Sequence, residues 1–156
     1  MIYKVVFGLS FVFVSVLIGK NLTERKRFVK NFFEALKAFN VDLISDVGLY
    51  YTPLKSKLSD LNERVDGAID GYEKIFSGET FFCNDRRLDI EQRKFVSDFV
   101  NSLGRFDEEG QIRYQDKTDV VIDGFLKKSE EIYSKYSALS SRLAFCLGLT
   151  VFIIMV

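Results

Sequence analysis

Two cysteines are the first residues of this chain whose type could support chemistry. The chain has 156 residues and no histidine, which excludes a Ser-His-Asp triad, a Cys-His pair and a histidine metal site. Cys83 and Cys146 lack the spacing of metal ligands, and two cysteines are too few for a disulfide framework. Gly67, Gly71 and Gly78 are not followed by the Lys-Ser or Lys-Thr of a phosphate-binding loop. We therefore expect two ordinary thiols and no phosphate-binding loop.

An acidic cluster, Asp107-Glu108-Glu109, is the remaining candidate for catalysis or cation binding. Paired carboxylates can act as acid and base, but acidic side chains also stabilise the positive end of a helix dipole, and that explanation suffices here. The basic pair Arg86-Arg87 could bind an acidic partner, although a solvated surface explains it as well. We predict that the protein is not an enzyme and has no catalytic residues, no metal, no cofactor and no small-molecule substrate.

The charges are balanced but unevenly distributed. The chain has 22 Lys and Arg against 22 Asp and Glu, so it lacks the basic excess of a nucleic-acid-binding protein. Apart from Lys4, every charged residue lies between Lys20 and Arg142. One proline and long segments of helical periodicity favour an all-α fold. We predict an all-α protein that binds no nucleic acid.

Both ends of the chain are apolar, which suggests that the domain between them is anchored twice. Residues 2–19 contain one charge, Lys4, and residues 138–156 contain one, Arg142. An α-helix needs roughly 20 apolar residues to cross a bilayer. A cleaved signal peptide is the alternative for the first run, but residues 15–19 offer no A-x-A-like cleavage site. The predicted order is a transmembrane anchor at 1–20, a helical domain at 21–137, and a second anchor at 138–156 that continues the preceding helix.

Basic residues lie beside both apolar runs, on the side of the central domain. By the positive-inside rule the domain is then cytoplasmic and both termini lie outside. Residues in this position are expected to contact anionic lipid headgroups, and the alternative is an ordinary solvated helix face. The residues predicted to contact the membrane are Lys20, Arg25, Lys26, Arg27, Lys135 and Arg142.

Apolar residues recur every three or four positions through most of the central domain, which predicts amphipathic helices. The first helix reaches about residue 49, and a turn at 48–53 follows. Thr52 is expected to be the N-cap and Pro53 the first residue of the second helix. That helix is expected to break near Asp66 and resume beyond it, because glycines follow at 67 and 71.

The third and fourth helices have clear start and stop signals. Asp89 is predicted to form a capping box with Gln92, and Gly104 stands where a C′ glycine ends the third helix. The fourth helix is predicted to run from Glu108 to the C-terminus, since no proline interrupts it. Residues 81–88 are compatible with either a short helix or a turn. The apolar stripe expected on the fourth helix comprises Ile112, Ile122, Phe125, Ile132, Tyr136, Leu139 and Leu143.

Two short motifs and the order of the segments resemble one known family. The first motif is Tyr50-Tyr51-Thr52-Pro53-Leu54. The second is Ser102-Leu103-Gly104, followed by Asp107 and Gln111 and then by a charged helix that leads into the terminal apolar run. In these features the chain resembles stage III sporulation protein AB of endospore-forming bacteria. It departs from the family pattern at residues 67–88, a segment that looks short.

The resemblance implies a function that the composition does not. Proteins of this family belong to a channel complex between mother cell and forespore. The resemblance implies that the cytosolic domain is an antiparallel helical bundle, similar to the F-type inner-membrane platform of type II secretion and type IV pilus systems. It implies a location in the mother-cell membrane that faces the forespore. It also implies as partners the other stage III sporulation channel proteins, including a secretion-type ATPase encoded in the same operon.

Helix lengths suggest where such a partner would dock. The segments 20–49 and 108–137 each have about 30 residues, so as helices each would extend ~45 Å from the membrane. The turns at 48–53 and 104–107 should then lie together at the membrane-distal end, which we call the distal turns. The residues predicted to bind a partner there are Tyr50, Thr52, Pro53, Leu54, Leu103, Gly104, Asp107, Glu108 and Gln111. The alternative is that Thr52, Pro53 and Gly104 are simply good turn formers.

Other functions remain as alternatives to a non-catalytic sporulation channel component. One is a generic membrane platform of another secretion-like or pilus-like machine. A transporter or a lipid-modifying enzyme is disfavoured, because neither apolar run has an ionisable group in its interior. In the remaining alternative the first run is a signal peptide and the domain is extracytoplasmic.

Overall fold

The computed structural model describes the backbone of residues 2–46, 53–106 and 108–155. It describes the side chains of residues 23–45, 53–106 and 109–140, and four more at 142, 143, 146 and 150. The described backbone is helical with no strand, as predicted for an all-α protein. Its elements are α1 (Ile2–Asp46), α2 (Leu54–Arg64), a 3₁₀ helix (Tyr72–Ser77), α3 (Ile90–Ser102) and α4 (Glu108–Met155).

The chain divides into two units, and α1 and α4 pass through both. Met1–Phe28 and Ser129–Val156 form what we call the end unit, and Val29–Lys128 form the central unit. Where side chains are described, no helix is long and apolar enough to span a membrane. The predicted anchor at 1–20 lies outside that part of the chain, and so does most of the one at 138–156.

The apolar stripe of α1 forms one wall of the central unit, as its spacing predicts. The Phe33 side chain is fully buried and stacks on Phe125 of α4, with 5.0 Å between the ring centroids. Phe39 faces α3 instead and meets Phe99 edge to face at 6.2 Å. A helix that packs against two neighbours needs such a wide apolar stripe. The buried apolar residues of α1 are Val29, Phe32, Phe33, Leu36, Phe39 and Leu43.

The start of α2 differs by one residue from the prediction. Pro53 is the N-cap and not the first helical residue, because its ψ of 127° is extended. Its carbonyl oxygen nevertheless accepts hydrogen bonds from the amides of Ser56 and Lys57, at 2.9 and 3.3 Å, as an N-cap carbonyl does. The predicted N-cap, Thr52, lies outside the described residues. Leu58 and Leu61 bury the apolar face of α2.

The predicted break near Asp66 is confirmed. Asp66 and Gly67 have φ values of 51° and 73°, a left-handed conformation that no helix continues through. The side chain of Asn62 bridges the turn, since its Oδ1 accepts from the Ile69 amide at 3.1 Å and its Nδ2 donates to Asp70 at 2.7 Å. The chain then forms the short 3₁₀ helix, so the segment is ordered without being one continuous helix.

The predicted signals of α3 are confirmed at both ends. Asp89 Oδ1 accepts from the Gln92 amide at 2.8 Å, and Gln92 Oε1 accepts from the Asp89 amide at 3.0 Å, which is a complete capping box. Gly104 follows the helix with a φ of 73°, where a residue with a Cβ would be strained. Val96, Phe99 and Val100 are fully buried.

Residues 81–85, compatible with either a helix or a turn in the sequence, lie along α3 without regular secondary structure. Asn101 of α3 accepts from the Phe81 amide and donates to the Phe81 carbonyl, both at 2.8 Å. Ser97, one turn earlier, accepts from the Cys83 amide at 2.9 Å. The side chains of Phe81 and Cys83 are buried while Phe82 between them is 68% exposed. Side chains of α3 therefore supply the hydrogen bonds that hold this segment, in the way that the backbone of a neighbouring strand does in a sheet.

The buried face of α4 in the central unit is more polar than its sequence predicts. Gln111, Gln115 and Thr118 are buried, whereas Ile112 is only half-buried. Of the predicted stripe, Ile122 alone is fully buried in this unit. The buried positions 111, 115, 118 and 122 follow the spacing of a seam against one neighbouring helix. Asn40 of α1 is the buried residue that meets them.

Gly124 lies inside α4, and an alanine there is expected to stabilise the protein. A Cβ at this position would meet no atom within 4 Å, so packing does not require the glycine. Gly124→Ala should raise the free energy of unfolding by about 0.5–1 kcal/mol, which urea titration of the full chain in detergent would measure. Gly104→Ala is the matched control and should destabilise, because its positive φ strains any residue with a Cβ. Equal effects of the two substitutions would contradict this account.

Candidate docking surface

The described parts of the two recognisable motifs lie side by side in the central unit. A Cβ built on Gly104 would lie 3.8 Å from Leu54 Cδ2, so the turn after α3 lies against the start of α2. Pro53 and Gly104 are both exposed. Residues 50 sequence positions apart thus form one surface, which corresponds to part of the distal turns. Tyr50, Thr52 and Asp107 lie outside the described residues, as does the side chain of Glu108.

Two of the predicted partner-binding residues are buried rather than exposed. Leu103 is 6% exposed and packs in the core, and Gln111 is 9% exposed on the seam of α4. Neither side chain is accessible to a partner protein. Each could therefore affect docking only by fixing the positions of the exposed residues beside it. Leu54 is half-buried. Within the described residues, the exposed part of this surface therefore consists of Pro53, Gly104 and their exposed neighbours in the chain.

Sequence reasoning missed an exposed aromatic residue at this surface. Phe106 is 48% exposed, and its ring stacks on that of Tyr114 in α4 with 5.4 Å between centroids. Aromatic rings that stay partly exposed are common at protein interfaces. The available signal was an apolar residue inside the short polar connection between α3 and α4, next to Arg105, which is also exposed.

A shallow groove between α1 and α2 was also missed. Its volume is about 170 Å³, with an apolar floor and a charged rim of both signs. Lys57 crosses the rim and donates to the carbonyl of Asp42 at 3.2 Å. The sequence signal was a charged stripe along α2 at three- and four-residue spacing. The lining residues are Phe39, Asp42, Lys57, Asp60, Leu61 and Arg64.

The predicted membrane-contacting residues belong to the end unit. Arg25, Arg27, Lys135 and Arg142 are exposed, and the side chain of Lys20 lies outside the described residues. Lys26 is half-buried, and its ammonium group lies 5.4 Å from the centroid of the Tyr136 ring, within cation–π range.

Apolar exposure continues beyond Tyr136 along α4 of the end unit. Leu139 and Leu143 are each 53% exposed. Together with Tyr136 they recur every three or four residues, so they lie along one side of the helix. This stripe follows directly on the cation–π contact.

The described residues contain no candidate metal site. Among them, no group of three His, Cys, Asp or Glu residues is placed to hold a metal ion. Cys83 is buried and Cys146 exposed, and both are free thiols. Arg87 forms a bidentate pair with Asp85 and donates to the carbonyl of Asp66 at 3.1 Å, which ties residues 85–87 to the turn after α2. The hydrogen bond to Asp85 raises the pKa of Arg87 above its ordinary value.

Alkaline pH is expected to weaken the fold through Cys83. Burial raises the pKa of its thiol above the ordinary 9.0, because desolvation disfavours the thiolate. The neutral thiol therefore contributes stability that is complete below pH 9.0 and is lost as the pH rises above it. The unfolding free energy of the wild type should fall more steeply across this range than that of Cys83→Ala, measured by urea titration. Parallel pH curves would show that the thiol does not contribute.

The comparison with protein-family models decides the family. The model for stage III sporulation protein AB matches residues 73–156, which is more than half of the chain. The chain belongs to the stage III sporulation protein AB family. No curated protein and no solved structure matches it.

The part of the chain that matches the stage III sporulation protein AB family differs from the part that carried the sequence resemblance. The match begins at residue 73, so it includes the second motif and all of α3 and α4. It also includes residues 73–88, where the sequence had looked divergent. The first motif, at 50–54, lies outside the matched range. Gly104, Phe106 and the stripe at Tyr136 lie within it.

Proposed function

We propose that this sporulation-related protein is a non-catalytic, membrane-anchored component of the channel complex between mother cell and forespore. Family membership is the observation that carries the proposal. The anchors are residues 1–20 and 138–156, with the domain between them in the cytoplasm and both termini outside. The membrane is the mother-cell membrane that faces the forespore.

Features of the end unit support the anchored arrangement. Tyr136 with Lys26 over its ring is an amphipathic pair of the kind enriched where protein meets lipid headgroups. The exposed Leu139 and Leu143 follow immediately, and lipid would cover them. The exposed bases Arg25, Arg27 and Lys135 would contact anionic headgroups beside them.

The distal turns are the proposed docking site for the cytosolic ATPase or for another channel subunit. Support comes from Leu54 and Gly104, which lie side by side although 50 positions separate them in the sequence. Phe106 adds an exposed aromatic ring to that surface. The acidic residues Asp107, Glu108 and Glu109 follow Phe106 in the chain and favour a partner with a basic patch.

A topology reporter tests the anchored arrangement. The reporter is inserted after Ser77, in an exposed loop where it interrupts no α-helix. A reporter active only in the cytoplasm should be active, and one active only outside should be silent. The reverse result would place the domain outside and overturn the proposal.

Thiol labelling tests the second anchor independently. In proteoliposomes the native Cys146 should resist a membrane-impermeant maleimide, because lipid would surround it. The control is Ser134→Cys in a Cys146→Ser background, which introduces an exposed thiol 12 positions earlier on the same helix and should react. Equal reaction of both thiols would show that this part of α4 is not in the bilayer.

Charge reversal tests the docking site. Asp107→Lys with Glu108→Lys should reduce capture of the purified operon-encoded ATPase at least tenfold, about the effect of juxtaposing like charges at an interface. The matched control reverses Glu63 and Asp98, which are exposed acids on α2 and α3. Unchanged capture at an equal protein level would remove the distal turns as the docking site.

A further inference from the structure

The buried side chains in the first turns of α4 are polar, and the one ring contact described there, between Tyr114 and Phe106, leaves both rings partly exposed. Among the described side chains of residues 109–119, those that are buried are Gln111, Gln115 and Thr118. Ile112 and Tyr114 are only half-buried. The first fully buried apolar residue of the helix is Ile122. We call residues 108–119 the polar arm.

Several polar atoms between the arm and α1 are buried without a hydrogen-bond partner in the described structure. On the arm they are both side-chain amide atoms of Gln111 and Oε1 of Gln115, and on α1 the atom is Oδ1 of Asn40. The opposite amide atom of Asn40 does bond, since Nδ2 donates to the Gln115 carbonyl at 3.1 Å. A buried polar group without a partner is destabilising, because water satisfies it in the open state. The arm therefore gains solvation when it leaves α1.

A weak point of α4 lies just beyond the arm. Gly124 is in the helix interior, where glycine is less stable than alanine, and a Cβ there would meet no neighbour. Between the arm and this glycine stands Ile122, which is fully buried. An ion pair between Lys37 of α1 and Asp123 of α4 lies next to Ile122. Stable packing thus starts at 122–123, and the chain on its N-terminal side is held more weakly.

We infer that the polar arm is a releasable segment, which separates from α1 under native conditions while the apolar core around α3 stays closed. Local openings of this kind have free energies below that of global unfolding. Once separated, the arm would lose the tertiary packing that supplies most helical stability in proteins, so its first turns would fray from the end of α4. The arm carries Glu108 and Gln111, so its release would remodel the distal turns, a consequence that rests on the proposed function.

Thiol labelling of the full chain in detergent tests the arm without any partner. Thr118→Cys, in a Cys146→Ser background, places a near-isosteric thiol at a buried position of the arm. The native Cys83 is an equally buried thiol in the core and serves as the internal reference. After each rate is divided by that of the same thiol in the urea-unfolded chain, Thr118→Cys should react at least about tenfold faster. Equal normalised rates would overturn the inference.

Matched substitutions test whether the unpartnered amides are the cause. Gln111→Leu or Gln115→Leu, made in the Thr118→Cys chain, should slow its labelling by roughly 5- to 150-fold, since each removes buried polar atoms that lack a partner. Lys117→Leu adds the same side chain on the exposed face of the arm and should leave the rate unchanged. A Val96→Cys thiol in α3 should react as slowly as Cys83. An equal slowing by Lys117→Leu, or fast labelling in α3, would contradict a release confined to the arm.

Because no partner is present, a failed labelling test leaves the docking proposal standing. Conversely, unchanged ATPase capture by the charge-reversed chain would not affect the arm. The two ideas therefore fail separately.

Discussion

Replacing Phe33 by alanine is expected to lower the free energy of unfolding by about 3–5 kcal/mol. The side chain is fully buried, and its ring contacts Phe125 at 5.0 Å and Phe32 at 5.3 Å between centroids. Phe33 thus fills the space between α1 and α4 at the level where α4 first packs through apolar groups. Truncation removes the transfer free energy of the ring and leaves a cavity that the two long helices cannot fully close.

Urea titration of the full chain in detergent, followed by far-UV circular dichroism, measures this loss. The matched control is Phe82→Ala, because Phe82 is 68% exposed and should cost about 0.5 kcal/mol or less. Phe125→Ala, made together with Phe33→Ala, should cost less than the sum of the single changes, since the two rings share one contact. A loss at Phe33 no larger than at Phe82 would show that the α1–α4 contact is absent in solution.

Asn101→Ala is expected to release the segment at residues 81–85 and to destabilise the chain by about 1–3 kcal/mol. The Asn101 side chain makes three hydrogen bonds of 2.8 Å, two to the backbone of Phe81 and one to the Ser97 carbonyl. Without them the Phe81 amide loses its partner beside the core. The buried side chains of Phe81 and Cys83 would then be held by apolar contact, by the hydrogen bond from the Cys83 amide to Ser97, and by the one from the Cys83 thiol to the Ala68 carbonyl.

Two measurements check this effect. Urea titration gives the loss of stability, and the labelling rate of Cys83 in a Cys146→Ser background reports release of the segment directly. That rate should rise by roughly the factor that corresponds to the measured loss, tenfold for each 1.4 kcal/mol. Asn84→Ala is the control, because Asn84 belongs to the same segment but is exposed. Loss of stability without faster labelling would mean that Asn101 acts only within α3.

Local signals in the sequence were sufficient for the helices and for most of their ends. The capping box of Asp89 and Gln92 involves residues three apart, and the positive φ of Gly104 depends on the last turn of one helix. The predicted role of Pro53 was wrong by one residue. A proline fits both the N-cap and the first helical position, and only its ψ angle distinguishes the two. The continuity of α4 followed from an uninterrupted run without proline.

The predicted stripe on α4 is less well matched, for a physical reason. Periodicity selects the most apolar face of an isolated helix, which pointed to Ile112. The buried face in the structure is set by α1, whose Asn40 meets Gln115 from 75 positions away. That pairing turns Gln111 and Gln115 inward and leaves Ile112 half-buried. No local rule predicts buried glutamines.

Composition and short-range spacing were enough to predict the fold class and most helix ends, because each depends on residues within a few positions. The absence of histidine and the balance of charge needed no structure. The tertiary structure was needed to show that Asn101 holds Phe81 and that Asn40 of α1 meets Gln115 in the first turns of α4. Those contacts join residues far apart in the chain, and their free energies depend on which faces of the helices meet. Composition and local spacing do not specify which faces of the helices meet.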